Sequence, residues 1–269
     1  MPEPFLSRWR LRPDGAPVTT RHSSLWPVRT ADGQPAMLKI STEAEEGQAD
    51  RLLHWWDGRG AARLLAHAGP AILIERASGT SLLPVSVGGE DDAATHILCA
   101  VLERLHAPRG PLPPGLLPLQ DWFADLLMPK QPLSPLLQRC RAVAEALLAG
   151  QQEVGVLHGD LHHDNVLDFG ARGWLAIDPK RLAGDRAFDY TVLFTNPDLC
   201  GPGIHVATRP ERFDARLALV CQLSGIERTR LLRWIAASAG LSAVWFLADG
   251  EPAQVDLAVA GMALRRLDG

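Results

Sequence analysis

The spacing of apolar positions changes near residue 80 of the chain. Before that point, short apolar runs alternate with turn residues, which predicts strands at residues 8–11, 16–20, 25–29, 36–40, 61–65 and 71–76. One helix interrupts these strands, and it is expected to begin at Thr42 and end near Gly58. Beyond residue 80, helical spacing prevails over residues 91–106, 119–127, 135–149, 212–223, 227–247 and 254–267. The pattern predicts an α+β fold, in which a small antiparallel sheet with one helix precedes a larger, mainly helical region.

One segment of the second region carries a chemical pattern. It reads VLHGDLHHDNVLDFGARGWLAIDP, with Asp160 and Asn165 spaced as D-x-x-x-x-N and Asp178 closing an apolar run. Residues 166–169 and 174–177 are expected to pair as a hairpin, so that Asn165 and Asp178 face one edge. Transfer of a phosphoryl group from ATP needs a carboxylate near the attacking hydroxyl and oxygen ligands for magnesium. We therefore predict Asp160 as the catalytic base, with Asn165 and Asp178 as ligands of Mg²⁺.

A zinc site is the alternative interpretation of this segment. His158, His162 and His163 would then hold the metal of a metallohydrolase. Their spacing is not the i, i+4 spacing of a helical zinc site, and no cysteine pair lies near them. The flanking apolar strands and ionisable residues follow the order found in kinases, which favours phosphoryl transfer.

The N-terminal strands offer candidate contacts to the phosphates of a nucleotide. Lys39 lies between two apolar residues in the last strand of the meander, where it would neutralise the α and β phosphates. The alternative is an edge-strand lysine that discourages aggregation. The loop expected to cover the nucleotide contains no glycine, so Ser23 and Ser24 are its candidate contacts. Glu46 on the following helix is expected to pair with Lys39, with Glu45 as the alternative.

The passage from strands to helices lies just after the last predicted strand. There we expect adenine to hydrogen-bond to the backbone of Glu75 and Ala77. Residues 1–77 are accordingly predicted to form an N-terminal nucleotide-binding lobe, and residues 78–269 a C-terminal catalytic and substrate-binding lobe. No long activation segment ending in A-P-E follows Asp178, which indicates a small substrate and a site without that gate.

Composition and charge narrow the range of partners. A formal net charge of −4 argues against a nucleic-acid-binding protein. The chain beyond residue 80 has 17 basic and 22 acidic residues, and this acidic excess weakly favours a cationic substrate. The four cysteines lack C-x-x-C spacing, and neither a secretory leader nor a run of 18 apolar residues occurs. We expect a cytoplasmic protein with reduced thiols and no membrane partner; the oligomeric state is open, with a monomer favoured.

The order of strand lysine, helix glutamate, apolar hinge, HGDLHHDN and AIDP resembles the aminoglycoside phosphotransferase family. The segments LHGDLHHDNVLDFGARGWLAIDPKRLAGDRAFDY and FTNPD are similar to its streptomycin 6-phosphotransferase and hydroxyurea phosphotransferase branch. This resemblance implies a bilobal protein-kinase-like fold with ATP and Mg²⁺ as cofactors. It implies transfer of the γ-phosphoryl group to an aminoglycoside, above all to the 6-hydroxyl of streptomycin, giving antibiotic resistance. Hydroxyurea or another small metabolite as acceptor, and a nucleotide-binding regulatory module, are the alternatives.

The acceptor pocket is the part of the site that the sequence specifies least. Streptomycin carries two guanidinium groups, so its pocket should present carboxylates near the catalytic base. Asp189, Asp249 and Glu251 are the candidates by their position in the helical region. The alternative is that all three are ordinary solvated acids.

Overall fold

The computed structural model describes residues 2–20, 23–41 and 49–269, and for residues 49 and 50 it describes the backbone. A short helix, α1 (Glu3–Arg8), precedes six strands. These are β1 (Arg12–Pro13), β2 (Val18–Thr19), β3 (Ser23–Arg29), β4 (Pro35–Ser41), β5 (Leu64–Ala68) and β6 (Ala71–Glu75). They form an antiparallel sheet in the order β1-β3-β4-β6-β5, with β2 also paired to β3. The sheet buries every residue of β6, which accounts for its unbroken apolar run.

Helices make up most of the chain after the sheet. The helix α2 (Ala49–Trp56) lies between β4 and β5 in the chain. The others are α3 (Leu83–Val87), α4 (Asp91–His106), α5 (Leu119–Trp122), α6 (Ala124–Leu127), α7 (Pro135–Ala149), α8 (Pro210–Ser224), α9 (Arg228–Ala248) and α10 (Gln254–Leu267). Caps fix several of their ends; for example, the Glu227 carboxylate accepts the N–H groups of Thr229 and Arg230 at 2.7 Å each.

The long helix α9 is the centre of the helical region. It packs against α7 and α10, and ten of its residues are buried. Gly240 gives α7 room, because a Cβ at this position would lie 2.4 Å from the Cβ of Cys140. By length and composition alone α9 could cross a membrane, and 56% of its most apolar stretch is buried inside the fold. An apolar helix surrounded by others is also what a globular core requires.

Short strands position the segment that carries the predicted chemistry. The hairpin is confirmed: β9 (Val166–Asp168) pairs antiparallel with β10 (Trp174–Ala176). A second small sheet joins β7 (Leu117–Pro118), β8 (Val154–Leu157) and β11 (Leu182–Asp185). Strand β8 leads into residues 158–165, which contain Asp160 and are called the catalytic loop below. Because β11 follows Asp178 after three residues and pairs with β8, the chain returns directly to the base of this loop.

The α+β prediction is confirmed, but several element boundaries were wrong. Residues 8–11 were expected to form a strand, whereas α1 occupies residues up to Arg8. Pro2 at the helix start and Glu3 in the first turn favour that helix. The predicted loop before residue 25 is in part strand, since β3 begins at Ser23. The start of the helix predicted from Thr42 lies outside the described residues.

A buried ion pair between Asp91 and Arg216 joins α4 to α8 in the helical region. The Arg216 guanidinium is fully buried and donates to both carboxylate oxygens of Asp91, at 2.9 Å from Nε and 2.5 Å from Nη2. It also donates to the backbone carbonyls of Leu193 and Asn196. Burial raises the pKa of Asp91, but Arg216, with hydrogen bonds from Ser86 and Arg212, outweighs this effect and holds the pKa well below its usual value.

Candidate active site

A cleft lies between the N-terminal sheet and the β9–β10 hairpin. It holds a cavity of about 560 Å³. Its apolar lining comes from both sides of the cleft, from Leu25, Met37, Ile72, Ile74, Leu167 and Phe169. The charged side chains of Lys39, Asp178 and Lys180 line it as well. An apolar slot with a few charged groups suits a ligand that has a flat apolar part and an anionic part.

The backbone of Ala77 is available to a ligand in this cleft. Within the described part of the chain, its N–H and C=O groups have no hydrogen-bond partner, although Ala77 lines the cavity. The neighbouring N–H groups are occupied: Glu75 N–H donates to Arg63 O at 3.0 Å, and Arg76 N–H donates to Pro35 O at 3.4 Å. Backbone groups in a cleft need partners, so Ala77 suits the edge of adenine. Of the two residues predicted for this contact, Glu75 cannot offer its N–H group to adenine, because that group already donates to Arg63 O.

The side chain of Glu75 has a structural role. It is buried, accepts the N–H of Arg63 at 2.7 Å and pairs with the Arg172 guanidinium. Arg172 lies in the turn of the β9–β10 hairpin and also donates to the carbonyl of Gly58. The carboxylate therefore ties the last strand of the sheet to the hairpin that forms the other wall of the cleft.

Lys39 and Asp178 meet in the cleft as an ion pair. Lys39 lies on β4 opposite Leu25 and Ile72, so its side chain emerges on the face of the sheet that lines the cavity. The Lys39 side chain is 8% exposed and that of Asp178 is 41% exposed. Burial raises the pKa of Asp178, but the Lys39 ammonium group outweighs it and holds the pKa below its usual value. The carboxylate is thus kept ionised, as a metal ligand must be.

The backbone of Asp178 adopts a conformation that is uncommon for a residue with a side chain. Its φ is +63°, in the left-handed region, which aspartate enters more readily than most residues. The turn comes directly after Ile177, whose N–H donates to Asn165 O at 2.9 Å. Asn165 and the residue before Asp178 are therefore neighbours, as the hairpin prediction required.

Asn165 is oriented by the catalytic loop. Its Nδ2 donates to the backbone carbonyl of Asp160 at 2.8 Å, which leaves Oδ1 as the ligand-capable atom. With the ionised carboxylate of Asp178, it supplies the oxygen donors that magnesium prefers. These two residues fit a Mg²⁺ site in their chemistry, and the hydrogen bond from Ile177 N–H to Asn165 O makes them neighbours along the backbone.

The catalytic loop itself is held by buried groups. The Asp189 carboxylate accepts His158 N–H at 2.8 Å and Gly159 N–H at 2.7 Å. His158 is fully buried; its Nε2 donates to Ile177 O at 2.8 Å and its Nδ1 accepts Asp160 N–H at 3.2 Å. Burial lowers the pKa of His158, so the ring stays neutral with one donor and one acceptor. Asp160 is therefore presented from a loop whose backbone is fixed on both sides.

A second cavity of about 310 Å³ lies beside Asp160. Asp160 and Lys180 line it, and Lys180 Nζ lies 3.6 Å from an Asp160 carboxylate oxygen. Trp122 and Trp245 also line it, and their rings meet edge to face with centroids 5.1 Å apart. The rest of the lining is partly apolar, from Phe188, Val192, Leu199 and Leu241, and partly polar, from Thr195, Asn196, Ser238 and Ser242. Because Lys180 lines both cavities, a group bound in one lies next to a group bound in the other.

The structure corrects several predicted contacts. Ser23 is buried and lines the nucleotide cleft, but Ser24 does not, because alternate strand residues face opposite sides of a sheet. Asp189 is buried and bonded to the catalytic loop, so it is not a pocket carboxylate. Asp249 and Glu251 are exposed beyond the end of α9 and do not line the cavity beside Asp160. Glu45 and Glu46 lie outside the described residues.

The three histidines of the alternative zinc interpretation do not come together as a metal site in the part of the chain that the structure describes. His158 and His163 are both fully buried, and both ring nitrogens of His158 are engaged in hydrogen bonds. Another set of donor atoms, from His162, Asp164 and Cys200, lies within 4.8 Å of one another. Burial raises the pKa of the Cys200 thiol to about 12, and its Sγ donates to Asn196 Oδ1 at 3.3 Å. The three histidines of the metallohydrolase interpretation therefore do not supply its ligand set, because both ring nitrogens of His158 are already bonded.

Sequence reasoning missed the indole wall of the second cavity. Neither Trp122 nor Trp245 is among the residues predicted for the acceptor pocket. Trp245 is half-buried, and its Nε1 donates to Asp125 Oδ2 at 2.9 Å. No motif marks these positions, because Trp122 and Trp245 are distant in sequence and meet through the packing of short helices on α9.

The chain matches the sequence profile described as aminoglycoside/hydroxyurea antibiotic resistance kinase over residues 8–250. It is 52% identical to the streptomycin 3''-kinase of Klebsiella pneumoniae over 98% of this chain and 100% of that protein. It is 35% identical to the streptomycin 6-kinase of Streptomyces glaucescens over 96% of this chain and 87% of that protein. A solved structure of aminoglycoside phosphotransferase APH(4)-Ia with ADP and hygromycin B has a TM-score of 0.67 at 14% identity, covering 99% and 96% of the two chains. This last likeness shows the kinase-like fold.

Proposed function

Because the chain belongs to the aminoglycoside/hydroxyurea antibiotic resistance kinase family, we propose that it transfers the γ-phosphoryl group of ATP to a hydroxyl group of streptomycin. One observation carries this proposal: the nucleotide cleft and the indole-lined cavity adjoin at Lys180, with Asp160 on the second cavity. A phosphate at the end of the cleft and a hydroxyl in the cavity would meet beside the Asp160 carboxylate. Such placement is the main requirement for phosphoryl transfer.

The roles of the protein groups follow from their positions. Apolar side chains and the Ala77 backbone hold adenine, and the Lys39 ammonium group binds the phosphate chain. Asp160 accepts the proton of the acceptor hydroxyl, late in a transfer whose transition state is loose. Lys180 lies 3.6 Å from Asp160 and is placed to neutralise charge on the transferred group.

Asn165 and Asp178 would hold Mg²⁺ in this site. The bound ion would neutralise charge on the nucleotide phosphates. Asn165 also fixes the loop through its bond to Asp160 O, so the ligand and the base are held by one contact.

Streptomycin is proposed because the acceptor cavity suits its guanidinium groups. Carboxylates were expected in this cavity, but the indole rings of Trp122 and Trp245 line it instead. Planar guanidinium groups stack on indole rings. The relative at 52% identity is a 3''-kinase and that at 35% identity is a 6-kinase. We therefore place the transfer on the 3''-hydroxyl, in preference to the 6-hydroxyl expected from the sequence motifs.

Turnover with a panel of acceptors tests the proposal. Magnesium-dependent ADP release is measured with streptomycin, kanamycin, hydroxyurea and no acceptor, and the phosphorylated carbon is assigned by NMR of the product. We expect release with streptomycin and a 3''-phosphate. Asp160→Asn is the matched control, and it should bind ATP normally while turnover falls by about 10²- to 10⁴-fold. Release with hydroxyurea alone would overturn the acceptor, and phosphate at another carbon would overturn the position.

A further inference from the structure

His106 contacts Asp189, the residue that holds the catalytic loop, and it has no role in the phosphoryl transfer proposed above. It is the last residue of α4, and its Nε2 lies 2.8 Å from Asp189 Oδ2. The side chain of His106 is 9% exposed and that of Asp189 is 0% exposed. Asp189 is the residue that accepts the N–H groups of His158 and Gly159. The buried carboxylate thus has three N–H donors: two belong to the catalytic loop and one to an imidazole.

The partners of the imidazole decide which proton it carries. Asp189 is an acceptor in its contacts with the loop, so His106 Nε2 must be the donor. His106 Nδ1 is buried and has no hydrogen-bond partner among the described residues. The hydrogen bond that His106 makes through its ring is therefore the one that Nε2–H donates to Asp189 Oδ2 at 2.8 Å.

This donor controls the orientation of the Asp189 carboxylate. Oδ1 accepts Gly159 N–H and Oδ2 accepts both His158 N–H and His106 Nε2–H. Rotation of the carboxylate would lengthen both bonds to the loop at once. The Tyr190 ring packs on the imidazole with centroids 5.9 Å apart and limits its movement. The peptide immediately before Asp160 is thus held by hydrogen bonds that run from His106 on α4 through the Asp189 carboxylate.

We propose that His106 is a positioning residue of the phosphoryl-transfer site, which acts through Asp189 on the backbone that presents Asp160. This inference rests on the proposed function for its kinetic consequence. It does not require His106 to touch either substrate, since neither cavity that meets at Lys180 includes it.

A graded set of substitutions tests the role. In His106→Gln the side-chain amide nitrogen can take the place of Nε2, whereas in His106→Asn the side chain is one methylene shorter, and His106→Phe has no donor. We expect kcat of the Gln variant to stay within about threefold of the parent, and kcat of the Asn and Phe variants to fall by about 10- to 100-fold. KM for ATP and for streptomycin should change by less than about twofold, because the binding surfaces are intact. Kinetics are compared on variants shown to be folded by thermal unfolding.

Hydrogen exchange of the His158 and Gly159 amides gives a second readout that needs no acceptor. Both amides should be as protected in the Gln variant as in the parent, and should exchange about tenfold faster in the Asn and Phe variants. Faster exchange with unchanged kcat would overturn the positioning role, and so would unchanged exchange in all three variants. If the parent transfers phosphate to no acceptor, the proposed function fails, and the exchange measurement still decides whether His106 holds the loop.

Discussion

Lys39 and Asp178 are 139 positions apart in the chain and form an ion pair across the cleft. One side chain comes from the sheet and the other from the end of the hairpin strand β10, so the contact joins the two walls that enclose the nucleotide cavity. The pair also assembles the two charges that ATP with magnesium requires: a cation for the phosphates and an anion for the metal.

The first prediction concerns the metal ligand in this pair. Asp178→Ala should weaken the binding of ATP in the presence of Mg²⁺ by at least about tenfold, since a carboxylate ligand is lost. Binding of ATP in the presence of a chelator should change much less. Titration calorimetry with and without magnesium measures both. Asp268→Ala, which removes an exposed carboxylate paired with Arg139, is the control; an equal loss with and without metal would contradict the ligand role.

The second prediction concerns the indole wall of the acceptor cavity. Trp122→Ala should raise KM for streptomycin by about 5- to 30-fold, because a stacking surface worth about 1–2 kcal/mol is removed, while KM for ATP stays the same. Trp122→Phe, which keeps a ring, should have a smaller effect. Steady-state kinetics give both constants, with Trp9→Ala as a tryptophan variant outside either cavity. A rise in KM for ATP as large as that for streptomycin would place Trp122 outside the acceptor site.

The third prediction is a pH dependence of stability that arises at Asp256. Its side chain is fully buried, both carboxylate oxygens lack partners among the described residues, and burial raises its pKa to about 6 from about 3.8. Because the folded-state pKa is raised, the stability contributed by this group is fully present below about pH 3.8 and is lost as pH rises through 6. Asp256→Asn should therefore raise the free energy of unfolding by up to about 3 kcal/mol at pH 8 and by almost nothing at pH 4.

Urea unfolding at the two pH values measures this effect. The exposed Asp249→Asn removes a carboxylate on the neighbouring helix end and should leave the pH dependence of stability as it is. A stabilisation of equal size at both pH values would show that ionisation of Asp256 is not its cause.

The fourth prediction concerns the buried ion pair of Asp91 and Arg216. Arg216→Met should lower the free energy of unfolding by about 3–5 kcal/mol, since it leaves a buried carboxylate without its main partner. The double variant Asp91→Leu with Arg216→Met should recover part of that loss, because the carboxylate is removed together with Arg216, and Arg212, which also pairs with Asp91, keeps Asp92 as a partner. Denaturant unfolding of the two variants and the parent provides the comparison. Identical losses in both variants would mean that packing, and not charge, makes the contribution.

Local pattern was enough to predict the elements that hold the site. The period of apolar residues gave α4 and α10 with their observed bounds, and glycines on either side of the turn gave the β9–β10 hairpin. Asn165 and Asp178 could be placed together because a hairpin converts sequence spacing into proximity. Such predictions need no information from outside the segment.

Contacts between distant segments could not be predicted in this way. The acidic residues chosen for the acceptor pocket were near the right region of the chain, yet Asp189 points to the catalytic loop and Asp249 to solvent. Which side of a helix faces a cavity depends on how α9 packs among its neighbours. The interaction of Trp122 with Trp245 depends on the same packing, so the spacing of residues along the chain does not predict it.

The direct return of the chain after Asp178 has a consequence for how the protein is controlled. Three residues, 179–181, connect Asp178 to β11, and β11 is at once paired with the strand that enters the catalytic loop. A link so short keeps this segment paired with the strand that enters the catalytic loop. Control by displacement of the segment would therefore require the β8–β11 pairing to break.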